Sequence, residues 1–368
     1  MQQPERVIIS GGGTGGHIFP AIAIANALKA EVPGIEILFV GAKGRMEMEK
    51  VPEAGYKIEG LWISGLQRSL KLSNLAFPIK VLSSLYRARV IINKFKPQAA
   101  VGVGGYASGP LLYAAASKKI PCLIQEQNSY PGITNKLLAK KVQKICVAYD
   151  RMDRFFPAAK IVKTGNPVRE QMVSISGKKE EAAEYFKLNA TLPTLLIVGG
   201  SQGARSINKS ILAGLEKLHQ TGIQVIWQCG KAFYEEALSA VEKLPTDKIK
   251  VFDFIKRMDF AYALCSVIIS RAGASTVSEL CIVAKPAILV PLPIAAEDHQ
   301  THNCLALTEK NAVVLVKDAD AMNTLVNTSL DLIKDEKRKK ELSENIAREA
   351  LRDAAGVIAR EVLKLIRN

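Results

Sequence analysis

The sequence predicts an α/β protein built from two doubly wound parallel-sheet domains. Its 368 residues are more than one hydrophobic core ordinarily holds, and they suit two domains. Short apolar runs alternate with longer helical stretches, as in parallel sheets that helices cover on both faces. The alternation restarts after residues 164–167, so we predict one domain over residues 1–164 and a second over 165–349. We expect a last helix, at about residues 350–368, to pack back on the first domain.

The strands are predicted from apolar runs that are bounded by turn-forming or charged residues. In the first half these runs are RVIIS, IEILFVG, AAVGVGG, PCLIQEQ and KICVAY. In the second half they are TLLIVGGSQGA, QVIWQCG, KVFDFI, VIISRAG, PAILVPLP and AVVLV. Ligands of such sheets bind beyond the carboxyl ends of the strands, so the loops that follow these runs are the first places to look for a site.

Three glycine-rich loops follow predicted strands and precede predicted helices. They are GGGTGGH at residues 11–17, GVGGYASGP at 102–110 and GGSQGARS at 199–206. Glycine lets main-chain amides at a helix N-terminus approach an anion closely, although strand-to-helix turns also favour glycine without any ligand. One such loop is a weak signal, whereas three together indicate phosphate binding.

The first of these loops matches G-x-G-x-x-G, yet it excludes two common nucleotide sites. Gly16 is followed by His17 where a P-loop needs lysine. The second predicted strand closes with Gly41, Ala42 and Lys43, where a dinucleotide fold needs an acidic residue for the ribose. The remaining interpretation is a diphosphate site divided between two domains, as in an enzyme that uses a nucleotide sugar.

The formal net charge of +15 is concentrated in the first half of the chain. Residues 1–170 hold 24 Lys and Arg against 11 Asp and Glu. Residues 60–125 hold nine basic residues and no acidic one, which indicates an anionic partner or surface. A nucleic acid would suit this charge, but it would leave the three phosphate loops unexplained, and interleaved aromatic residues are sparse.

The segment at about residues 68–96 combines this charge with an apolar stripe. The apolar residues Leu75, Ile79, Leu82 and Tyr86 recur at helical spacing. Lys71, Lys80, Arg87, Arg89 and Lys94 flank them. The stripe is either the core-facing side of a helix or a dock for an anionic membrane surface.

Metal and cofactor sites are not expected. The six cysteines are widely spaced and form no C-x-x-C pair, which predicts reduced core cysteines of a cytoplasmic protein. The N-terminal segment shows no signal-peptide pattern, so export is not expected. Asp318 and Asp320 superficially match a metal-binding D-x-D pair, but they follow the last predicted strand and fit a helix N-cap better.

Eight motifs in order carry a resemblance over nearly the whole chain. They are GGTGGH, GAKGRMEMEKVPEAGY, GVGGYASGP, EQNSYPGITNK, TGNPVR, GGSQGA, RAGASTVSEL and EDHQTHN. In this succession the sequence resembles the bacterial peptidoglycan N-acetylglucosamine (GlcNAc) transferases of glycosyltransferase family 28, which complete lipid II. The resemblance implies a GT-B fold with two Rossmann-like domains facing a cleft.

The resemblance also implies the reaction and its place in the cell. The family inverts the anomeric centre as it moves GlcNAc from UDP-GlcNAc to the C4 hydroxyl of undecaprenyl-diphospho-MurNAc-pentapeptide, or lipid I. The first domain would then bind the acceptor and the cytoplasmic face of the inner membrane as a peripheral protein, and the second would bind the donor. Roles in cell-wall biogenesis, cell shape and cell division would follow. A UDP-GlcNAc 2-epimerase or another UDP-sugar glycosyltransferase is the alternative.

Residue by residue, the resemblance implies two groups of substrate ligands. The expected donor ligands are Thr14, Gly15, Gly16, Asn128, Arg169, Ser201, Gln202, Ile255, Ala274, Ser275, Thr276, Val277, Ser278, Glu279 and Gln300. Among them Ile255 would offer its backbone to uracil and Gln300 would contact the sugar. Glu279 would hold the ribose, although its spacing from Ser275 also permits a capping role. The expected ligands of the acceptor diphosphate are Gly104, Gly105, Tyr106 and Ser108.

Two residues are candidates for the general base. His17 follows a glycine loop, and imidazole titrates near neutral pH, so it is the first candidate. Glu126 is the second. The sequence departs from the family pattern at Gln125, where a histidine is frequent, which weakens any scheme that relies on a histidine there.

Overall fold

The computed structural model describes residues 4–65, 77–200, 202–293 and 295–367. Within these ranges the chain forms two compact units. The first unit runs to Val168 and resumes at Arg352, and the second comprises Arg169–Leu351. The chain thus leaves the first unit four residues later than the predicted boundary at residue 164.

The first unit alternates strands and helices. Its elements before the second unit are β1 (Arg6–Ser10), α1 (Gly15–Glu31), β2 (Glu36–Ala42), α2 (Glu47–Glu53), β3 (Lys57–Leu61), α3 (Phe77–Phe95), β4 (Ala99–Gly102), α4 (Ser108–Ser117), β5 (Cys122–Glu126), α5 (Ile133–Leu138), β6 (Lys144–Val147) and β7 (Ile161–Lys163).

The second unit repeats the alternation, and one further helix follows it. Its elements are α6 (Glu170–Val173), α7 (Lys179–Phe186), β8 (Thr194–Val198), α8 (Arg205–Ala213), α9 (Leu215–Gln220), β9 (Gln224–Gln228), α10 (Tyr234–Glu242), β10 (Ile249–Phe252), α11 (Met258–Leu264), β11 (Val267–Ser270), α12 (Ala274–Val283), β12 (Ala287–Leu289), α13 (His299–Thr308), β13 (Val314–Leu315), α14 (Ala321–Lys334) and α15 (Glu336–Ala347). The last helix is α16 (Ala354–Arg367), which belongs to the first unit.

Each unit contains one parallel sheet in which the strand order reverses beside the first strand. The first sheet has the order β3-β2-β1-β4-β5-β6-β7, and the second has the order β10-β9-β8-β11-β12-β13. The chain leaves β1 and β4 in opposite lateral directions, and it does the same at β8 and β11. Such switch points open a crevice at the carboxyl ends of the strands. The predicted α/β class with two doubly wound parallel sheets is confirmed.

The strands β3 and β7 were not predicted, and they form the two opposite edges of the first sheet. In β3 the charged residues Lys57 and Glu59 interrupt the apolar run, because an edge strand need not be buried on both faces. Strand β7 is only three residues long, and none of them is fully buried. Edge strands of this kind lack the continuous apolar signal of central parallel strands.

The helix α16 completes the core of the first unit. Its buried residues Ile358, Ala359 and Val362 join a cluster that contains Ile18 and Ile24 of α1. At its surface Arg360 forms ion pairs with Glu31 and Asp353. The helix therefore covers the face of the sheet that α1 also covers, although the whole second unit separates the two helices in sequence.

The six cysteines are free and buried, as predicted. Burial raises the pKa of the Cys122 thiol to about 12 and that of Cys265 to about 11. Thiolate is the reactive form, so these side chains act as small core residues.

Candidate active site

The loop between β1 and α1 is shaped by a buried carboxylate. Glu47, at the start of α2, is 1% exposed. Its Oε2 accepts a hydrogen bond from the Gly13 amide at 2.9 Å, and its Oε1 accepts one from the Ala42 amide at 3.0 Å. A Cβ added to Gly12 would overlap this carboxylate. The Glu47 carboxylate therefore requires glycine at position 12. The sequence alone did not identify Glu47 as part of this loop.

The imidazole of His17 lies on the same loop. Its Nδ1 is 3.1 Å from the Gly12 carbonyl oxygen and 3.3 Å from the Thr14 hydroxyl. Thr14 precedes α1 in an extended conformation, and its carbonyl accepts from the His17 amide at 3.1 Å. Thr14 and Gly16 are exposed, and Gly15 is half-buried. The structure therefore groups four of the predicted site residues at the start of one helix.

The loop after β4 packs against this first loop. Gly104 and Gly105 have φ angles of 96° and 87°, which favour glycine. A Cβ on Gly104 would meet the His17 ring, and one on Gly105 would meet the Gly12 carbonyl. Two glycine-rich loops at the switch point of the first sheet are thus in direct contact.

The other two predicted ligands of the acceptor diphosphate differ in accessibility. The Tyr106 side chain is exposed. The Ser108 hydroxyl is fully buried, 3.0 Å from the Ser10 carbonyl oxygen and 2.8 Å from that of Gly104. Its side chain stabilises the loop, so a contact of Ser108 with the acceptor would have to use its backbone.

Glu126, the second candidate base, is held by amide donors. One carboxylate oxygen accepts from the backbone and side-chain N–H groups of Asn128, at 2.9 and 3.3 Å. The other accepts from the Gly132 amide at 3.2 Å and from Asn135 at 2.7 Å. Burial raises the pKa of this carboxyl, while the four donors oppose the shift. The arrangement fits a carboxylate that orders the segment from Asn128 to Gly132 better than one that takes a proton from a substrate.

Gln125 belongs to a buried amide network. Its side chain donates to Asn166 Oδ1 at 2.8 Å and accepts from Gln127. Gln127 also donates to the Val103 carbonyl at 2.7 Å, and Asn166 donates to the Gln127 carbonyl at 3.0 Å. The network joins the end of β5 to the loop after β4 and to the last segment of the first unit before Val168. Gln125 thus serves the network with one donor and one acceptor.

The second unit has its own pair of apposed glycine loops. Gly203, after β8, has a φ of 77°, and a Cβ there would overlap the Cys229 carbonyl. Gly230, after β9, has a φ of 83°, and a Cβ there would meet the backbone of Gln202 and Gly203. The Gln202 side chain is exposed. The predicted ligand Ser201 lies outside the described residues.

The motif RAGASTVSEL predicts a helix that begins near Ser275, and α12 begins one residue earlier, at Ala274, with three residues between it and the end of β11. Gly273 precedes it in an extended conformation, and the positions from Ala274 to Thr276 are partly exposed. The first amides of a helix have no acceptor within the helix, so this turn can face an anion. Val277 is buried, and the Ser278 hydroxyl donates to the Ala274 carbonyl at 3.0 Å. Of the predicted ligands in this motif, Ala274, Ser275 and Thr276 lie in the first turn, whereas Val277 and Glu279 are buried.

Glu279 is brought together with Arg169, another predicted donor ligand. Glu279 is 9% exposed, and its carboxylate accepts a hydrogen bond from the Tyr262 hydroxyl of α11 at 3.1 Å. Burial raises the pKa of Glu279, and the Tyr262 hydroxyl and the charge of Arg169 oppose the shift. The residue does not cap α12, whose N-cap is Gly273. The capping alternative is therefore wrong, and Tyr262 is a partner that the sequence analysis missed.

The backbone of Ile255 and the side chain of Gln300 each make one hydrogen bond within the second unit. The Ile255 amide donates to Gln228 Oε1 at 2.8 Å, so a contact with uracil would have to use its carbonyl oxygen. Gln300 Oε1 accepts from the Leu292 amide at 3.0 Å. This bond occupies Oε1, so a contact of Gln300 with a sugar hydroxyl would use its NH₂ group.

Arg271 links the segments after β11, β12 and β13 to the first turn of α8 at the carboxyl edge of the second sheet. It donates to the Val290 and Pro291 carbonyls at 3.0 and 3.3 Å, to Ser206 at 2.9 Å and to Asp318 at 2.5 Å. The sequence offered one signal for this role, which is a cation placed directly after a strand. Asp318 is thus an ion-pair partner, and its predicted role as a helix cap is wrong.

Metal ligands are not clustered in the part of the chain that the structure describes. No group of three or more His, Cys, Asp or Glu residues there is arranged to hold an ion. Of the D-x-D pair, Asp318 pairs with Arg271, and Asp320 occupies the N-cap position of α14, as the motif predicts, although its side chain makes no capping hydrogen bond.

The apolar stripe of α3 lies on its exposed face. Ile79, Leu82 and Tyr86 are 61, 68 and 72% exposed. The buried residues of the helix are Ser84, Ala88, Ile91 and Ile92. The core-facing alternative for the stripe is therefore wrong. Its predicted first residue, Leu75, lies outside the described residues, as do Arg68 and Lys71.

The cationic side chains around this stripe differ in the contacts that they make. Arg87 pairs with Glu59 at 2.9 Å. Lys80 donates to Ser64 at 3.1 Å and lies 5.7 Å from the ring centroid of Trp62, which is itself exposed. Arg89 and Lys94 are exposed as well.

Two sequence-family models match the chain. The N-terminal domain of glycosyltransferase family 28 matches residues 7–147, and the C-terminal domain of the same family matches residues 194–358. With the two parallel sheets and their apposed glycine loops, these matches define a glycosyltransferase of the GT-B class. The chain belongs to glycosyltransferase family 28.

Individual relatives extend this result to the full chain. A protein of Cytophaga hutchinsonii named UDP-N-acetylglucosamine–N-acetylmuramyl-(pentapeptide) pyrophosphoryl-undecaprenol N-acetylglucosamine transferase is 57% identical over 99% of this chain and 98% of its own length. A protein of Christiangramia forsetii with the same name is 50% identical over the full length of both chains. The crystal structure of Acinetobacter baumannii MurG matches 98% of this chain and 100% of its own, with a TM-score of 0.80 and 28% identity.

Proposed function

We propose that the enzyme transfers GlcNAc from UDP-GlcNAc to the C4 hydroxyl of undecaprenyl-diphospho-MurNAc-pentapeptide, giving lipid II. The observation that carries this proposal is the 57% identity, over nearly all of both chains, to a protein named for this transfer. The geometry of the second unit supports a nucleotide-sugar donor, because a helix N-terminus suits a diphosphate and a carboxylate suits a ribose diol. These groups are the first turn of α12 and the Glu279 carboxylate.

In the proposed reaction the acceptor C4 oxygen attacks the anomeric carbon of GlcNAc as the bond to the UDP oxygen breaks. The C4 hydroxyl gives its proton to His17, and attack from the face opposite UDP inverts the anomeric centre. The charge that develops on the diphosphate is stabilised by the amides of α12 and by Arg169, without chemical change in the protein. We propose that no cofactor and no protein-held metal takes part.

The proposal is tested by supplying the purified enzyme with UDP-GlcNAc and a lipid I analogue. We expect a GlcNAc–MurNAc disaccharide product and one free UDP for each disaccharide formed. A 2-epimerase would instead change the sugar of UDP-GlcNAc without an acceptor, which nuclear magnetic resonance of the donor detects. Release of UDP with an unrelated acceptor, and none with the lipid I analogue, would indicate a different glycosyltransferase.

We propose further that the exposed stripe of α3 docks the enzyme on the anionic cytoplasmic face of the inner membrane. Its acceptor carries an undecaprenyl chain that stays in the bilayer, so the enzyme must work at the surface. No helix within the described ranges combines the length and apolarity needed to cross a bilayer. Exposed apolar side chains beside Arg89 and Lys94 suit reversible binding, since each cation near an anionic leaflet contributes about 1 kcal/mol.

This docking predicts that the protein sediments with anionic vesicles at low salt and is released as salt screens the contacts. Charge reversal at Lys80, Arg87 and Arg89 should weaken vesicle binding and activity on a lipid acceptor. Activity on a short soluble acceptor should survive. Because Arg87 already pairs with Glu59, we expect reversal of Arg89 alone to have a larger effect than reversal of Arg87 alone.

The matched control reverses three exposed lysines of the second unit, Lys243, Lys334 and Lys337, which gives the same change in net charge. It should leave vesicle binding in place. Equal binding to neutral and anionic vesicles, or equal loss of activity on both acceptors, would rule out this face as the dock.

A further inference from the structure

The peptide group between Gly12 and Gly13 is held at both ends by side chains. Its N–H, which belongs to Gly13, donates to Glu47 Oε2 at 2.9 Å. Its carbonyl, which belongs to Gly12, lies 3.1 Å from His17 Nδ1. The N–H and C=O of a trans peptide point in opposite directions, so a side chain that fixes one of them also aims the other.

This contact favours one tautomer of His17. The Gly12 carbonyl oxygen can only accept, so the 3.1 Å contact needs a proton on Nδ1, and the Thr14 hydroxyl at 3.3 Å, which can donate or accept, is compatible with that proton. A neutral imidazole with its proton on Nδ1 has its lone pair on Nε2. The tautomer that can take a proton through Nε2 is therefore the one that the Gly12 carbonyl selects.

The Glu47 side chain is fixed in the position from which it accepts the hydrogen bond of this peptide group. It is 1% exposed, and its second oxygen is anchored by the Ala42 amide at the end of β2. Both Gly12 and Gly41 lack the Cβ that would collide with its side chain. A charged acceptor also polarises the peptide group, which strengthens the hydrogen bond that the carbonyl accepts on the other side.

We propose that Glu47 is a positioning residue that acts on His17 through the Gly12–Gly13 peptide group, holding the imidazole in the tautomer with Nε2 unprotonated. The chain of contacts is carboxylate, peptide and imidazole, with a main-chain amide between the two side chains. This inference rests on the proposed role of His17 as the general base.

The hydrogen bond to Glu47 limits how the first glycine loop can bind an anion. The Gly13 amide, which a phosphate-cradling loop would turn towards an anion, is taken by a buried carboxylate. The glycines of this loop therefore serve the orientation of a catalytic side chain, and an anion at the loop would have to use other amides.

The test replaces Glu47 with glutamine, which keeps the volume but presents an NH₂ group to one of the two amides. We expect Glu47→Gln to lower kcat by about 10- to 100-fold, by analogy with the loss found when the partner that orients a metal-binding histidine is removed. The Michaelis constant for UDP-GlcNAc should change by much less than kcat, because the groups proposed to hold the donor diphosphate and ribose, the first turn of α12 and Glu279, lie in the second unit. Glu49→Gln, an exposed change on the same helix, should leave both constants unchanged.

A double mutant separates positioning from a general structural effect. In a His17→Ala background, Glu47→Gln should lower kcat by no more than about twofold further, since residues that act as a unit are not additive. The same fold loss in both backgrounds, or a fully active single variant, would overturn the proposal. Absence of disaccharide product from the wild-type enzyme would instead overturn the proposed function.

The tautomer can also be measured directly, which keeps the proposal testable if the Glu47 variant does not fold. The chain has four histidines, so imidazole nitrogen shifts of the ¹⁵N-histidine-labelled wild-type enzyme can be assigned with a His17→Ala reference. We expect neutral His17 to show a protonated Nδ1 and an unprotonated Nε2. The opposite pattern in the wild-type enzyme would overturn the proposal whatever the variants do.

Discussion

Replacing His17 with alanine is expected to lower kcat by about a hundredfold or more, because positioned proton transfer typically contributes that much. The side chain lies at the start of α1, with Nδ1 against the Gly12 carbonyl, so its removal takes away the proton acceptor and leaves the loop backbone in place. Steady-state assays with a lipid I analogue at saturating donor measure the change.

The control for this variant is His219→Ala, which removes a histidine of α9 in the second unit. It should have wild-type kcat. A loss of less than tenfold in a folded His17 variant would show that the acceptor proton goes elsewhere. Glu126 would not be the natural replacement, since its two oxygens already accept four N–H donors.

Replacing Glu279 with alanine is expected to raise the Michaelis constant for UDP-GlcNAc by about 10- to 150-fold. Loss of a charge-assisted hydrogen bond to ribose costs about 1.5 to 3 kcal/mol. Measured kcat at saturating donor should change much less, because the ribose contact is the same in the ground state and the transition state.

The structure adds a control that this variant requires. Alanine at position 279 leaves the buried Tyr262 hydroxyl without its acceptor, so part of the effect could come from altered stability. Thermal unfolding of Glu279→Ala and of the double variant with Tyr262→Phe separates the two effects. Glu242→Ala, an exposed change in the same unit, is the matched control for charge. Unchanged donor kinetics in a folded Glu279 variant would remove Glu279 from the donor site.

The central strands could be predicted from sequence because both their faces are buried. Runs such as those of β1 and β8 are continuously apolar, which is the signal of a parallel sheet between helices. The two edge strands of the first sheet could not, because β3 mixes Lys57 and Glu59 into its run and β7 is only three residues long. The start of α12 was also close to its predicted position, since the strand before it and the glycine in the turn both mark the boundary.

Individual side-chain contacts in the candidate site were harder to predict, because they depend on residues distant in sequence. Nothing local distinguishes the buried Glu47 from the exposed Glu49, yet one orders a loop 34 residues earlier and the other faces solvent. The Ser108 hydroxyl lies in a glycine loop, as a ligand would, but the Ser10 carbonyl at the end of β1 accepts it. A motif identifies which loop reaches the site, and only the packing decides which side chains of that loop remain available.

The helix α16 has a consequence for how the protein is made. It covers the first sheet beside α1, but the ribosome synthesises it only after the whole second unit. During translation the face of α1 that carries Ile18 and Ile24 has no partner from α16, while the second unit can already bury its own core. The half of the protein that begins first therefore finishes folding last, and in the interval its exposed apolar face is a substrate for chaperones and a risk for aggregation.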